Sequence, residues 1–379
     1  MGKKFVLSQE DGTVAGGNLR GDGAVDLQTS RSAADQVAGN TGCFIGGGYS
    51  NKASSIQSVV VGGQNNTASS LQSFIGSGNS NTTSGGTENA IVGGALNTIS
   101  GTGSYGFVGA GFQNTVSSGY SVVSGGQSNT ASTNTHATVV GGQSNTSSGQ
   151  YSVTGGRQNV SSGPSAISLG TFNNSSGSYS VTLGQSNLAS STYASAIGAY
   201  SIASGFASTC IGDSGNAYLR NMFTTGYGNF ALQGDNQSSI IAARKQDTLT
   251  TAATTILSLD GTGTTNLIIP SGNRAWNVQI DTISVVTAIT GTATGVSVGD
   301  VYSEVKNLLF KRIGGTSSIV GTVDTTSIKS NTSMATASLT VTAGASQEMA
   351  LTFASPSFSG GGSLTIRVVS KLSLVEVAY

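Results

Sequence analysis

Charge is scarce in this chain. Among 379 residues, 16 are Lys or Arg and 16 are Asp or Glu, giving a net charge of zero. No bulk field draws nucleic acid or an anionic membrane surface, so neither is an expected partner. Between Phe44 and Gly212 the charged residues are Lys52, Glu88 and Arg157 alone. Cleaving a polysaccharide on a β-helical wall commonly takes paired carboxylates, and Glu88 is the one carboxylate in this stretch. The sole histidine, His136, leaves no material for a Ser-His-Asp triad or a multi-histidine metal site. No Gly-Lys-Ser/Thr makes a phosphate loop, and the recurrent aspartates of calcium-binding repeats are missing. The expectation is a non-enzymatic chain with no catalytic residue, metal or cofactor.

Long apolar runs are also missing. None reaches the ~18–20 residues of a membrane span, and Met1-Gly-Lys-Lys-Phe lacks the apolar core of a secretion signal. This predicts a chain made and kept soluble in a cytoplasm, without membrane insertion. The two cysteines, Cys43 and Cys210, fall at opposite ends of the repeats described next and read as small buried hydrophobes rather than a disulfide.

What the chain has in abundance is a repeat. Gly-x-x-Asn-x-x-Ser is written eleven times from Gly48 to Ser204, with Ser201 in the asparagine place of the last copy. The spacing is 14 to 17 residues, settling at 14 for the last five steps to Gly212. Three residues before the glycines runs an aliphatic row: Ile45, Val60, Ile75, Ile91, Val108, Val123, Val139, Val153, Ile167 and Val181. Ordering a 14-residue coil costs roughly 14–28 kcal/mol in backbone entropy, while burying its one aliphatic side chain returns about 1.5–3 kcal/mol. A coil cannot stand alone, so the coils must stack.

Stacking of units this short predicts an all-β fold with a parallel β-solenoid, a roll of 14–17-residue coils, over residues 44–212. Glycine supplies the turn. The asparagines Asn51, Asn66, Asn81, Asn97, Asn114, Asn129, Asn145, Asn159, Asn173 and Asn187 form a structural side-chain ladder. The residue before the glycine changes from small (Gly47 to Gly155) to Leu169, Leu183, Ile197 and Ile211, so the cross-section should differ along the roll. Four residues before the glycine, Phe44, Val59, Phe74, Phe107 and Val122 give way to Thr138, Ser152, Ala166, Ser180, Ala194 and Ser208. Strand alternation puts this second row on the outer face. An outer apolar row needs a cover: neighbouring chains of a parallel homotrimer, or another segment of the same chain.

The late coils, Ser-Ala-Ile-Ser-Leu-Gly and Ser-Val-Thr-Leu-Gly, resemble the head repeats of trimeric autotransporter adhesins, which implies a β-roll. After Gly212 the texture changes. Residues 213–246 read as a neck. From 247 to 379, strand-like runs at Thr255–Leu259, Asn266–Ile269, Trp276–Val286, Ser303–Ile313, Ala335–Val341, Glu348–Phe353 and Leu364–Val377 predict an antiparallel β-sandwich or jelly-roll tip. Lys311-Arg-Ile-Gly-Gly-Thr-Ser-Ser-Ile-Val-Gly reads as a hairpin. Together with Asn266-Leu-Ile-Ile-Pro, with Leu364-Thr-Ile-Arg-Val-Val-Ser-Lys-Leu-Ser-Leu-Val-Glu-Val and with Arg20-Gly-Asp-Gly-Ala-Val-Asp-Leu, it resembles tailed-bacteriophage tail fibres. That resemblance implies a homotrimeric virion fibre. Residues 1–43 would attach to another tail or adaptor protein, and the tip would meet a host surface glycan or protein.

Candidate binding residues follow from chemistry. Tyr105, Tyr120, Tyr151, Tyr179 and Tyr193 recur once per coil in several coils and offer a ladder of rings for sugars, or a structural ladder capping the roll. In the tip, Trp276, Tyr302, Lys306, Lys311 and Arg312 are candidates for a receptor site, with core packing of Trp276 and solvation of the cations as the ordinary alternative. Asp260, Asp281, Asp300, Glu304 and Glu348 leave open that assembly gathers carboxylates. The main reading is a non-enzymatic virion fibre for host attachment. The alternatives are a cell-surface adhesin and a polysaccharide-degrading tailspike. Arg20-Gly-Asp matches an integrin tripeptide, a match that arises often by chance.

Overall fold

The computed structural model describes residues 5–6, 11–229, 233–263, 268, 272–344 and 348–378. The chain is all-β, with a parallel solenoid of about 13 turns; among the described residues the helical structure is the 3₁₀ turn Thr332–Met334. It divides into two compact units, Met1–Ser186 and Asn187–Tyr379.

In the first unit each coil contributes two short strands to two parallel columns. One column runs Val25–Asp26, Phe44–Ile45, Val59–Val60, Phe74–Ile75 and onward to Val181–Gln185. The other runs from Lys52–Ala53 to Asn174–Ser175. Parallel pairing thus begins at Phe5–Val6 with Val25–Asp26, ahead of the first Gly-x-x-Asn motif. In a two-residue strand one side chain points in and the next points out. Ile45, Val60, Ile75, Ile91, Val108, Val123 and Val139 point in and meet Ala53, Ala68, Ile99, Val116 and Ala131 of the second column, all essentially without solvent contact.

The aliphatic row does not stay inside. Val139 pairs with Thr154 and Gly142 with Gly156, so the strand Thr138–Gln143 carries one residue more than its neighbour in this interval. The extra residue lies between the paired strand residues and the glycine, so the strands stay in register while a position counted back from the glycine changes face at this coil. Val153, Ile167 and Val181 therefore point outward, and Thr154, Ser168 and Thr182 take the interior. The sequence expectation of one continuous buried aliphatic row is corrected at this coil. So is the placing of Ser152, Ala166 and Ser180 on the outer face, since all three are buried. The late interior is held by hydroxyls: Ser175 Oγ donates to Ile167 O at 2.6 Å and lies 2.7 Å from Thr182 Oγ1, while Ser161 Oγ donates to Val153 O at 2.9 Å.

The slip has a second consequence. The outer column reads, in register, Phe44, Val59, Phe74, Ala90, Phe107, Val122, Thr138, Val153, Ile167 and Val181. Phe74 and Phe107 are 39% and 37% exposed. The outward side chains of this column form an apolar stripe from Phe44 to Val181, interrupted by Thr138.

The second unit opens on further coils, whose interior is Ala189, Ala196, Ala203, Cys210 and Ala217. Both cysteines of the chain are free and buried. The last coil strand, Phe223–Tyr227, pairs antiparallel with Gln237–Leu249. That strand starts a large antiparallel sheet, continued in space by Gly362–Ala378, Arg274–Gly291, Val301–Ile313 and Thr316–Ser330. A separate sheet of Thr254–Leu257, Met349–Ala354 and Ser338–Ala343 shares its core, in which Trp276, Val278, Ile280, Leu339, Leu351 and Phe353 are buried. Gly314 and Gly315, at φ 56° and 83°, make the two-residue turn joining Ile313 to Thr316, which two successive positive φ values favour. Of Asn266-Leu-Ile-Ile-Pro, Ile268 alone is described, bridging to Met349; the other four lie outside the described residues.

Candidate functional site

The repeated asparagines are buried in every coil that carries one. Asn114 is representative. Its Nδ2 donates to Ala110 O at 3.1 Å, to Gly126 O of the next coil at 2.9 Å and to Asn97 Oδ1 at 3.1 Å. Its Oδ1 accepts from Asn129 N at 3.0 Å. The same pattern runs from Asn66 to Asn159, Asn51 and Asn173 at its ends share the two carbonyl contacts, and in the second unit Asn187 Oδ1 accepts from Ser201 N. Gln28 stands at the head of this column and accepts from Asn51 N at 2.9 Å. With every amide atom occupied between coils, these side chains hold the stack and present nothing to a ligand. The glycine of the motif is equally confined. A Cβ on Gly111, at φ 110°, would lie 2.1 Å from the Gly126 carbonyl oxygen.

The tyrosines sit at a left-handed backbone station of the coil, with φ near 60° at Tyr105, Tyr120, His136, Tyr151 and Tyr179. Positive φ is uncommon for such residues. Here each station donates its N–H to the preceding coil, Tyr120 to Ser104 O and His136 to Gly119 O. Side chains one coil apart are thereby brought face to face. Tyr105, Tyr120, His136 and Tyr151 form one stack with centroid steps of 4.9, 5.0 and 4.8 Å. His136, which the sequence set aside as chemically isolated, is the third ring of that stack. Its place was legible from spacing, since 136 falls midway in the Tyr120–Tyr151 interval. Tyr193 lies edge-on to Phe206 in the second unit.

This geometry corrects one idea about how the ladder works. Rings inside the stack cover one another's faces, so Tyr120 offers a ligand its edge and hydroxyl rather than its face. Beside the stack runs a trough of about 420 Å³ lined by Thr102, Ser104, Ser117 and Thr135 along with Tyr105 and Tyr120. Hydroxyls and ring edges dominate it, and it carries no charge.

The tip candidates separate. Tyr302 and Lys306 are buried and are withdrawn from any receptor surface. Tyr302 OH donates to Glu304 Oε2 at 2.6 Å, Lys306 Nζ meets Glu304 Oε1 at 2.5 Å, and Leu339 N donates to Glu304 at 3.1 Å. Burial, reinforced by the Glu304 carboxylate, pushes the Tyr302 phenol up from its ordinary value of 10.0. Lys311 and Arg312 stay partly exposed near the hairpin. Lys311 edges an apolar hollow with Leu309, Val320, Val375 and Val377.

A second buried carboxylate, Glu376, pairs with Arg274 Nη1 and accepts from Gln237 Nε2 at 2.8 Å and Tyr218 OH at 3.3 Å. Burial raises its pKa, against the opposing pull of Arg274. Arg20 is buried too, its Nε 3.0 Å from Asp26 Oδ2, so Arg20-Gly-Asp cannot present its guanidinium to an integrin.

Sequence inspection missed one cluster. Arg244, Lys245, Gln246, Asp260 and Arg367 line a hollow of about 340 Å³. Asp260 Oδ1 accepts from Ser258 Oγ, Thr262 N and Thr262 Oγ1 at 2.9–3.0 Å, and Arg367 Nε donates to Gln246 Oε1 at 2.7 Å. These cations come from strands more than a hundred residues apart in sequence, so no local pattern marks them. Among the described residues no group of three or more His, Cys, Asp or Glu is placed to hold a metal ion, and no helix is long and apolar enough to cross a membrane.

No family model and no curated protein matches the chain. Among solved structures, the tailspike protein of Acinetobacter phage vB_ApiP_P1 aligns over 100% of this chain and 80% of its own, at 9% identity and a TM-score of 0.24. The tailspike of Acinetobacter baumannii phage AM24 aligns over 99% and 73%, at 10% identity and a TM-score of 0.24. The tailspike of Acinetobacter baumannii bacteriophage Fri1, described as a capsular polysaccharide depolymerase, aligns over 99% and 72%, at 9% identity and a TM-score of 0.18. The expectation of a non-enzymatic chain is corrected here, because a depolymerase stands among the structures to which this chain is similar.

Proposed function

We propose that this chain is a phage tail appendage of the tailspike kind, carried on the virion, which attaches it to a bacterial surface polysaccharide through the outer wall of its coils. The observation that carries the reading is the stacked column Tyr105–Tyr120–His136–Tyr151 beside an uncharged, hydroxyl-lined trough. Ring edges and hydroxyls along a repeating wall suit a repeating glycan, which offers hydroxyls and C–H faces at regular intervals. The apolar outer stripe from Phe44 to Val181 is covered by two further copies in a parallel homotrimer, and three such walls raise avidity by roughly 10²–10⁴. Residues 1–43 join another tail or adaptor protein, and the sheets beyond residue 247 form a sandwich-like tip.

A second activity, cleavage of the bound glycan, is favoured by the hollow at Asp260, where a carboxylate sits among Arg244, Lys245 and Arg367. An acidic sugar fits those cations, and Asp260 is the one carboxylate lining the hollow, a general acid or base candidate that supplies one member of the usual pair.

The test is retention of the purified chain on immobilised bacterial capsular polysaccharides and lipopolysaccharides. The reading expects retention on at least one, competed by the soluble glycan; no retention anywhere would contradict it. Reducing ends released from the retained glycan, and lost in Asp260→Asn, would establish cleavage at the hollow.

A further inference from the structure

The ring column is interrupted once inside the first unit. Tyr151 is its fourth ring, Ser165 occupies the same left-handed station one coil later at φ 55°, and Tyr179 follows at φ 57°. The backbone ladder is unbroken through the gap: Ser165 N donates to Gln150 O at 2.7 Å and Tyr179 N to Pro164 O at 2.8 Å. What is missing is a ring. Tyr151 and Tyr179 are 56% and 54% exposed, well out from the wall.

We infer that Tyr151, Ser165 and Tyr179 form a slot for one pyranose ring of the polysaccharide, held between the two phenol faces with Ser165 as its floor. The inference rests on the reading under Proposed function and names the subsite within it. Ring steps in the intact stack are 4.8–5.0 Å. Two steps with the middle ring left out separate Tyr151 and Tyr179 by about 10 Å, which is two coil spacings. A chair-form sugar at the midpoint stands about 5 Å from each centroid, within the 4.5–7 Å range at which rings engage a neighbour. Another aromatic ring would fit the same space, but a pyranose chair is thicker and fills it with axial C–H groups against both faces. The Ser165 hydroxyl and the exposed Pro164 lie at the floor of the slot, and the Tyr hydroxyls at its rim reach the sugar's equatorial hydroxyls. The slot also sets spacing. A glycan lying along the wall enters it with one residue per repeat unit, while its other residues run along ring edges.

Ser165→Tyr closes the slot with the ring found at neighbouring stations, in a backbone conformation those tyrosines already adopt, and Ser165→Ala leaves it open. Half-saturation on the polysaccharide retained by the wild type is expected to weaken at least tenfold in Ser165→Tyr and to stay within twofold in Ser165→Ala. If Ser165→Tyr fails to fold, Tyr179→Ala removes one wall and carries the same tenfold expectation. A closed-slot or single-wall variant that binds within twofold of the wild type overturns the slot and leaves polysaccharide attachment standing. A wild-type chain retained by no polysaccharide overturns both.

Discussion

Val139 pairs with Thr154 across adjacent coils, and the pair marks the place where the solenoid interior changes from aliphatic to hydroxyl. Val139 and Val153 hold the same position in the written repeat, three residues before the glycine, yet one points in and the other out. Val139→Ala should lower the unfolding free energy by about 2 kcal/mol, because it opens a cavity in a closed interior. Val153→Ala should change it by less than about 0.5 kcal/mol in the unassociated chain. Denaturant titration of the two variants checks this; equal costs would mean that the slip is wrongly placed.

The asparagine ladder makes a sharper demand. Asn114→Ala would leave Ala110 O, Gly126 O and Asn129 N without their side-chain partners in a buried seam. At about 1–3 kcal/mol for each group left unsatisfied, the loss should exceed that of Val139→Ala. Gly111→Ala should also destabilise strongly, since its Cβ would strike the Gly126 carbonyl and its φ is positive. Thermal unfolding ranks the three; the account requires both motif variants to melt below Val139→Ala.

Alkaline pH should expose the Tyr302–Glu304 contact. The folded state holds the Tyr302 proton more tightly than the unfolded chain does. The unfolded phenol ionises first, so the group's contribution to stability is present below pH 10 and is lost as pH rises beyond it. Tyr302→Phe should flatten that loss. Denaturation midpoints compared at about pH 8 and about pH 11 would show a smaller difference in the variant than in the wild type.

Glu376 works on the acid side with the same sign. Its folded carboxyl is raised above the ordinary 4.5 by burial, so the folded state binds the proton more tightly. Its contribution therefore declines as pH rises from the unfolded value through the folded one. Glu376→Gln should remove that decline. A wild-type and a variant curve running parallel as pH rises above the ordinary 4.5 would refute the assignment.

How much of this was legible beforehand follows from where the information lies. The coil, its in-register stacking and the asparagine column are written once per turn, and the hairpin turn is written as Gly314-Gly315. The slip was signalled only indirectly: the period settles at 14 from Gly142 onward, and the residue before the glycine becomes Leu169 and Leu183. A repeat written relative to its glycine hides a change in which neighbour faces inward. The strand Gln237–Leu249 and the part of Thr316–Ser330 beyond the hairpin were missed, the first because Arg244 to Thr248 is a charged and polar run, the second because its exposed Ser and Thr positions look like loop; pairing with Gly362–Ala378 and Val301–Ile313 holds them in place. Burial of Tyr302 and Lys306 was hidden for a related reason, since Glu304 satisfies both and a buried ion pair has the composition of a surface.

Native mass in solution tests the account most directly, because the slip turns Val153, Ile167 and Val181 into a continuation of the outer stripe begun by Phe44, Val59, Phe74, Phe107 and Val122. A stripe of that length needs a cover. Light scattering on the purified chain should give three chain masses, and aspartate at Phe74 and Ile167 together should reduce the particle to one. A wild-type chain that runs as a monomer would contradict the covered stripe and the multivalent attachment built on it.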